Sequence, residues 1–283
     1  MMANAVMDTE KPSVSAAIRA ALLLADPRDK LMAARRVARD WRLGRLAFAF
    51  DAPMPDRPAR PAAPELLPPN RMPKRGRGGS ERGRIALLHA IAHIEFVAID
   101  LALDMAGRFG AEMGAAFVGD FLKVAADEAL HFALLDRLLR ARGSHYGALP
   151  AHDGLWEAAE ETRHDVAARL AVVPMLLEAR GLDVTPAAIT RARAGGDERV
   201  ARILTRILSD EINHVQIGVN HFTAWCEGRG LCPEITWKSL VERHFGGLLK
   251  PPFNDSARES AGLSRKLYGA LAESQAARLG NTP

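Results

Sequence analysis

Two short segments of this 283-residue chain each set a carboxylate and an imidazole three positions apart inside an apolar run. In "AADEALHFALL" (125–135) they are Glu128 and His131, preceded by Asp127. In "LSDEINHVQIG" (208–218) they are Glu211 and His214, preceded by Asp210. On a helix, positions i and i+3 share a face. Phe121, Val124, Ala125, Phe132 and Leu135 surround the first pair on that face, and Leu204, Ile207, Leu208, Val215 and Gly218 surround the second. Acidic groups on an apolar face are turned toward a core, where an unpaired carboxylate is strongly destabilising. Their charge has to be neutralised.

Two further carboxylates share the problem. Glu95 has Leu88, Ile91, Ala92, Ala98, Ile99 and Ala102 on its face, and Glu178 has Ala171, Pro174, Met175 and Leu182. No Lys or Arg occupies these face positions. Two divalent metal ions would balance four carboxylates, with two neutral imidazoles completing the ligand sets. One Glu from each of two helices, plus a Glu-x-x-His from each of two others, is the ligand arrangement of ferritin-like di-iron and di-manganese bundles. The expected metal ligands are therefore Glu95, Glu128, His131, Glu178, Glu211 and His214.

The spacing supports this independently. Glu95 to Glu178, Asp127 to Asp210, Glu128 to Glu211 and His131 to His214 are each separated by 83 positions. Two helix hairpins related by a pseudo-twofold axis would each supply half of the site. A metal-bound His usually donates its other ring N–H to a carboxylate. Asp127 and Asp210 are the expected partners, crossing between the hairpins.

Other candidates fall away. Glu161 and His164 form a third Glu-x-x-His, but they precede Glu178 by about 25 Å along a helix axis and have polar neighbours, which makes them surface residues. His89 and His93 lie off the face of Glu95 and read as packed or hydrogen-bonded histidines. His221 lies two turns beyond His214. Pro174 predicts a kink one turn before Glu178.

The elements that must hold these residues are helices. Ala, Leu and Arg are abundant and aromatics are 6%, a balance that favours helix. The patterning places helices at about 81–107, 116–142, 154–180 and 197–227, ended by the Gly and Pro signals in "AGRFG", "ARGSHYGALP", "ARGLDVTP" and "CEGRG". No segment alternates as a strand does. The expected class is all-α, a four-helix bundle over 81–230. One or two amphipathic helices precede it in 1–50, a Pro/Gly-rich arm spans 51–80, and a helical extension covers 231–283, with helices near 234–245 and 255–279.

The net charge of +4 permits contact with nucleic acid without requiring it. The basic run "PKRGRGGSERGR" (73–84) has no interleaved aromatics and reads as a solvated loop. Cys226 and Cys232 are too few to staple the chain, which points to a reducing compartment. The N-terminus lacks a secretory pattern, and no run of 18 apolar residues occurs. A cytoplasmic location without membrane insertion is expected.

The segments "LLHAIAHIEFVAIDLALD", "DEALHF", "LEARGLDVTP", "DEINHVQIG" and "KPPFN…AR" together resemble the bacterial ferritin-like proteins grouped as domain of unknown function 455, over most of the chain. More distantly the chain is similar to a di-iron hydroxylase of tRNA. The resemblance implies two iron ions, with manganese as the alternative, and an O2-dependent oxidoreductase. Its partners would be O2, an electron donor and either a small-molecule substrate or tRNA, and a homodimer is compatible. Iron handling by a ferroxidase, or a binding scaffold with structural metals, are the alternatives.

Overall fold

The computed structural model describes residues 11–73 and 80–280. Residues 1–10, 74–79 and 281–283 lie outside the described residues, and with them half of the basic run and part of the Pro/Gly-rich arm. The helices are α1 (Val14–Leu22), α2 (Pro27–Arg42), α3 (Glu81–Met113), α4 (Ala115–Arg140), α5 (Gly154–Glu161), α6 (Val166–Val172), α7 (Ala179–Ala194), α8 (Glu198–Glu227), α9 (Pro233–His244), α10 (Asp255–Ser260) and α11 (Arg265–Gly280). A π-helical segment, Val173–Glu178, joins α6 to α7. Among the described residues there is no β-strand, only isolated bridges at Ser13–Ala47 and Leu66–Ala151. The fold is all-α.

Four rods form the core. α3 packs along α4 as one hairpin, α7 and the π segment pack along α8 as the other, and the two hairpins meet where α4 faces α8. Phe96, Ile99, Phe121, Leu135, Leu170, Met175, Leu204 and Phe222 fill the interior. An 18-residue window of α3 has a mean hydropathy of 1.8, high enough for a membrane span by length and composition. About two thirds of that window (67%) is buried in the protein, so its apolar surface is used by the bundle itself.

Four helix boundaries differ from those expected. α3 continues through Gly110, because that glycine is a packing residue: a Cβ there would lie 2.5 Å from Val118 and 2.7 Å from Phe50. The chain turns instead at Gly114, whose φ of 91° suits glycine. The third rod does not run from 154 to 180 as one helix. It breaks after α5 and restarts where Asp165 caps the N–H groups of Ala167 (2.8 Å) and Ala168 (3.1 Å). It then passes through the expected stop at 181–186 and ends at Ala194. Pro186 has no N–H for the carbonyl of Leu182, but Asn254 Nδ2 donates to that carbonyl at 3.1 Å. The C-terminal extension thus supplies the hydrogen bond that the proline removes. That extension is itself broken into α10 and α11 at Gly262, which has a φ of 74°.

Buried ion pairs fix the irregular arm to α3. Asp100 meets Lys30 Nζ at 2.6 Å and Arg60 Nη1 at 3.0 Å, and Lys30 also donates to the Ala59 carbonyl. One turn along, Asp104 meets Arg108 and Arg169, both at 2.7 Å, while Arg108 donates to the Pro55 carbonyl. Each carboxylate has two cationic partners, as burial of the charge requires.

Candidate metal centre

Residues from α3, α4, the π segment and α8 converge midway along the bundle. Ligand atoms of Glu95, Glu128, His131 and Glu211 all lie within 4.8 Å of one another. His131 Nδ1 is 3.0 Å from Glu95 Oε2, 3.3 Å from Glu128 Oε2 and 3.6 Å from Glu211 Oε1. His214 Nδ1 is 3.0 Å from Glu128 Oε1 and 3.5 Å from Glu211 Oε1. The two oxygens of Glu128 therefore face the two rings, one each. Glu128 is 1% exposed and both histidines 1% or less, so bulk water does not neutralise this cluster.

Glu178 stands at the edge of the group. It keeps some accessible surface and lies outside the tight set of four. Burial, together with the charges of Glu211 and Glu128, pushes its carboxyl up to about 8. It is placed by the π segment, which begins at the expected Pro174 kink: the extra residue per turn re-aims the side chains that follow. Gly218 on α8 makes room for that turn, since a Cβ there would lie 2.5 Å from Pro174 Cβ.

The outer ring nitrogens cross between the hairpins. His131 Nε2, from α4, lies 3.1 Å from Asp210 Oδ2 on α8. His214 Nε2, from α8, lies 3.4 Å from Asp127 Oδ2 on α4. With Nε2–H donated outward, each ring presents Nδ1 to the carboxylates.

Two residues escaped the sequence reading. Lys123 Nζ is 2.9 Å from Asp127 Oδ2, and Arg206 Nε is 2.6 Å from Asp210 Oδ2. Each lies four positions before its Asp, and the two are again 83 apart. The signal was present in the spacing but sat on the polar side of the helices, away from the apolar faces that drew attention. The result is two matched chains, Lys123–Asp127–His214 and Arg206–Asp210–His131, running from solvent to the cluster.

Without a metal, the site balances its charge with protons. Burial and the charge of Glu128 raise Glu95 well above the carboxylate range, and the same two causes raise Glu211. Burial opposes ionisation of Glu128 too, but the hydrogen bond with His131 and the positive charge of both imidazoles outweigh it and hold that carboxyl low. Burial disfavours charge on His131, yet Glu128 and Glu95 hold it up at about 11. His214 is likewise raised, against its burial, by Glu211, Asp127 and Glu128. Among the ring nitrogens of the cluster, His214 Nδ1 has no hydrogen-bond partner, because its 3.0 Å approach to Glu128 is off the required line. A nitrogen aimed into a cluster of carboxylates with no proton acceptor in line fits a ligand atom. Carboxylate oxygens with imidazole nitrogens form a donor set for iron, manganese or zinc.

The remaining histidines are used elsewhere. His93 bonds Tyr146 Oη at 3.0 Å and the His152 carbonyl at 3.1 Å. His89 Nε2 accepts from the Gly147 N–H, and His221 pairs with Asp120 at 2.8 Å. His164 accepts from Arg163 at the surface.

The family described as "Protein of unknown function (DUF455)" matches residues 23–269. The chain belongs to this family. A Haemophilus influenzae relative, described as an uncharacterized protein, is 43% identical over 213 residues, covering 73% of this chain and 74% of its own. No solved structure matches. The matched region spans both hairpins and the C-terminal extension into the first turn of α11, so the DUF455 unit includes every residue of the cluster.

Proposed function

We propose that this DUF455 chain is a ferritin-like di-iron carboxylate protein, and that it is an O2-dependent oxidoreductase acting on a small organic substrate. The observation that carries the reading is the position of Glu128 between two imidazoles. Glu128 turns one oxygen toward each of two Nδ1 atoms, and it would hold two metal ions together with Glu95, His131, Glu211, His214 and Glu178. Bound iron would supply the redox chemistry with O2. The protein residues hold the ligand geometry, exclude bulk water and keep both rings in one tautomer through Asp127 and Asp210. Glu178, at the edge and partly accessible, would complete the ligand set. On this reading residues 81–230 form the metal-holding unit, and the N-terminal helices, the arm and the extension cover it.

A second reading, a scaffold whose metals are structural, draws on the depth of the cluster. The two readings separate experimentally. Metal content of the protein from its native host should be about two irons per chain, lost in Glu128→Ala. The reduced protein should then consume O2. Iron without O2 consumption favours the scaffold, and no metal in a folded protein sinks both.

A further inference from the structure

A groove of about 850 Å³ lies between α2 and α4, away from the carboxylate cluster. Arg35, Arg36, Arg39 and Arg42 from α2 and Lys123 from α4 line it, against the single carboxylate of Asp127. That is an excess of four positive charges in one concavity, as large as the formal net charge of the whole chain. Two of the cations have partners: Lys123 is paired with Asp127, and Arg39 is 3.4 Å from Asp40. Arg35, Arg36 and Arg42 are exposed, and among the described residues no acidic group forms an ion pair with them. Solvated arginines commonly stand alone, but here they converge. Arg35, Arg39 and Arg42 follow the i, i+4, i+7 spacing of one helix face over about 10 Å.

The groove also has an apolar wall. Trp41 lines it and lies against α4 where Gly119 has no side chain: a Cβ there would be 3.2 Å from Trp41 Nε1. A planar indole beside a row of guanidinium forks matches a ligand with an aromatic ring and more than one phosphate oxygen. Guanidinium binds phosphate in a two-pronged geometry, and indole stacks on a base of any type.

We infer that the α2–α4 groove is a binding site for a nucleotide-sized phosphate ester, held by Arg35, Arg39 and Arg42 and stacked on Trp41. None of the six candidate ligands lines this site, but Asp127, which contacts His214, does. Lys123 belongs both to the groove and to the chain that ends at His214, so an occupant there sits one ion pair from the cluster.

The test uses the full chain and three probes: ADP, AMP and inorganic pyrophosphate, titrated by calorimetry. Glu128→Ala serves as a second background, so that metal chelation by the probe cannot stand in for groove binding. ADP should bind in both backgrounds. The double substitution Arg35→Ala/Arg39→Ala should weaken ADP by about tenfold or more, the scale for losing charge-assisted hydrogen bonds. Trp41→Ala should weaken AMP several-fold while leaving pyrophosphate unchanged. Circular dichroism of the double-arginine variant should match the parent, since both arginines are exposed. Absence of ADP binding at millimolar concentration overturns the proposal. So does binding that the double substitution leaves intact, or binding confined to the background that retains Glu128. Binding of a single-stranded oligonucleotide without any binding of free nucleotides also overturns it, in favour of a surface that tracks a nucleic-acid backbone.

Discussion

Asp210 on α8 accepts from His131 on α4 at 3.1 Å, and it does so while held by Arg206, four residues before it, at 2.6 Å. The reverse contact, Asp127 to His214 with Lys123 behind it, repeats the geometry from the other hairpin. Each hairpin therefore orients the histidine of its neighbour. The site depends on both hairpins being docked, and the face between α4 and α8 is where an error in docking would be felt first.

Replacing either outer aspartate tests this dependence. Asp210→Asn keeps the shape but cannot hold the ring N–H as strongly. Metal affinity should fall by about 10- to 100-fold, the usual effect of removing such a partner. Asp127→Asn should do the same through His214. Chelator competition on the loaded protein measures it; an unchanged affinity in both variants would remove Asp127 and Asp210 from the site.

Lys123 and Arg206 should have a smaller and shared effect. Both side chains are more than half exposed, 61% and 57%, so they add little to global stability. Lys123→Met and Arg206→Met should leave the unfolding midpoint nearly unchanged yet speed metal release several-fold, and Lys123→Arg should restore the parent rate. Equal changes in midpoint and release would mark them as ordinary surface pairs.

The metal-free protein should lose stability as pH rises. Glu178 holds its proton up to about 8 in the folded chain, against an ordinary value of 4.5. Between those values the folded state binds more protons than the unfolded one, so stability falls with pH across that window. His131, raised from 6.5 to about 11, acts in the same direction at higher pH. Metal ions displace these protons, so the stabilisation they give should grow with pH. Thermal melts from pH 5 to pH 8, with and without metal, check the sign. Glu178→Gln should flatten the metal-free profile, and a metal-free melting temperature that rises over this range would refute the proton-balanced cluster.

The fold and the convergence of the carboxylates and imidazoles were legible because both follow from the placement of charge on apolar helical faces. The 83-residue repeat made the pairing of hairpins readable as well. What stayed hidden were features set by partners distant in sequence. Nothing local says that Leu182 will find Asn254, so in sequence Pro186 reads as a stop. Gly110 resembles a helix terminator until Val118 and Phe50 are seen against it. The ion pairs at Asp100 and Asp104 depend on Arg60 and Arg169, far away in the chain. Lys123 and Arg206 were overlooked because a helix surface offers many cations, and only the crossed aspartates give these two a purpose.

Gly218 links the packing to the site. Adding a Cβ would place it 2.5 Å from Pro174 Cβ and 2.7 Å from Pro174 Cγ. Neither atom can rotate away, because both belong to a proline ring. Gly218→Ala should therefore cost about 1–3 kcal/mol and push the π segment outward, taking Glu178 with it. Urea unfolding of the metal-free protein reads the first effect. Metal stoichiometry reads the second, and full stability with full metal content would show that the turn yields freely.

The C-terminal extension should prove to be part of the folded unit rather than an appendage. Asp183 is fully buried and receives two bonds from Arg258, at 2.8 and 2.7 Å, and one from the Asn254 N–H at 2.9 Å. Arg258→Met removes the closer of two cationic partners and leaves only the partly exposed Arg180, at 3.5 Å, beside a buried carboxylate, so the cost should lie toward the lower end of about 3–5 kcal/mol. Removing both charges is milder, since a well-packed apolar pair can replace a buried ion pair. Asp183→Leu/Arg258→Met should thus recover much of the loss. It should not recover all of it, because the Asn254 N–H then loses its acceptor, a buried group worth about 1–3 kcal/mol when unsatisfied. Denaturant unfolding of the two single variants and the double closes this cycle. If Arg258→Met alone were nearly neutral, α10 would be only loosely docked, and the Asn254 bond to Leu182 could not be what carries α7 through Pro186.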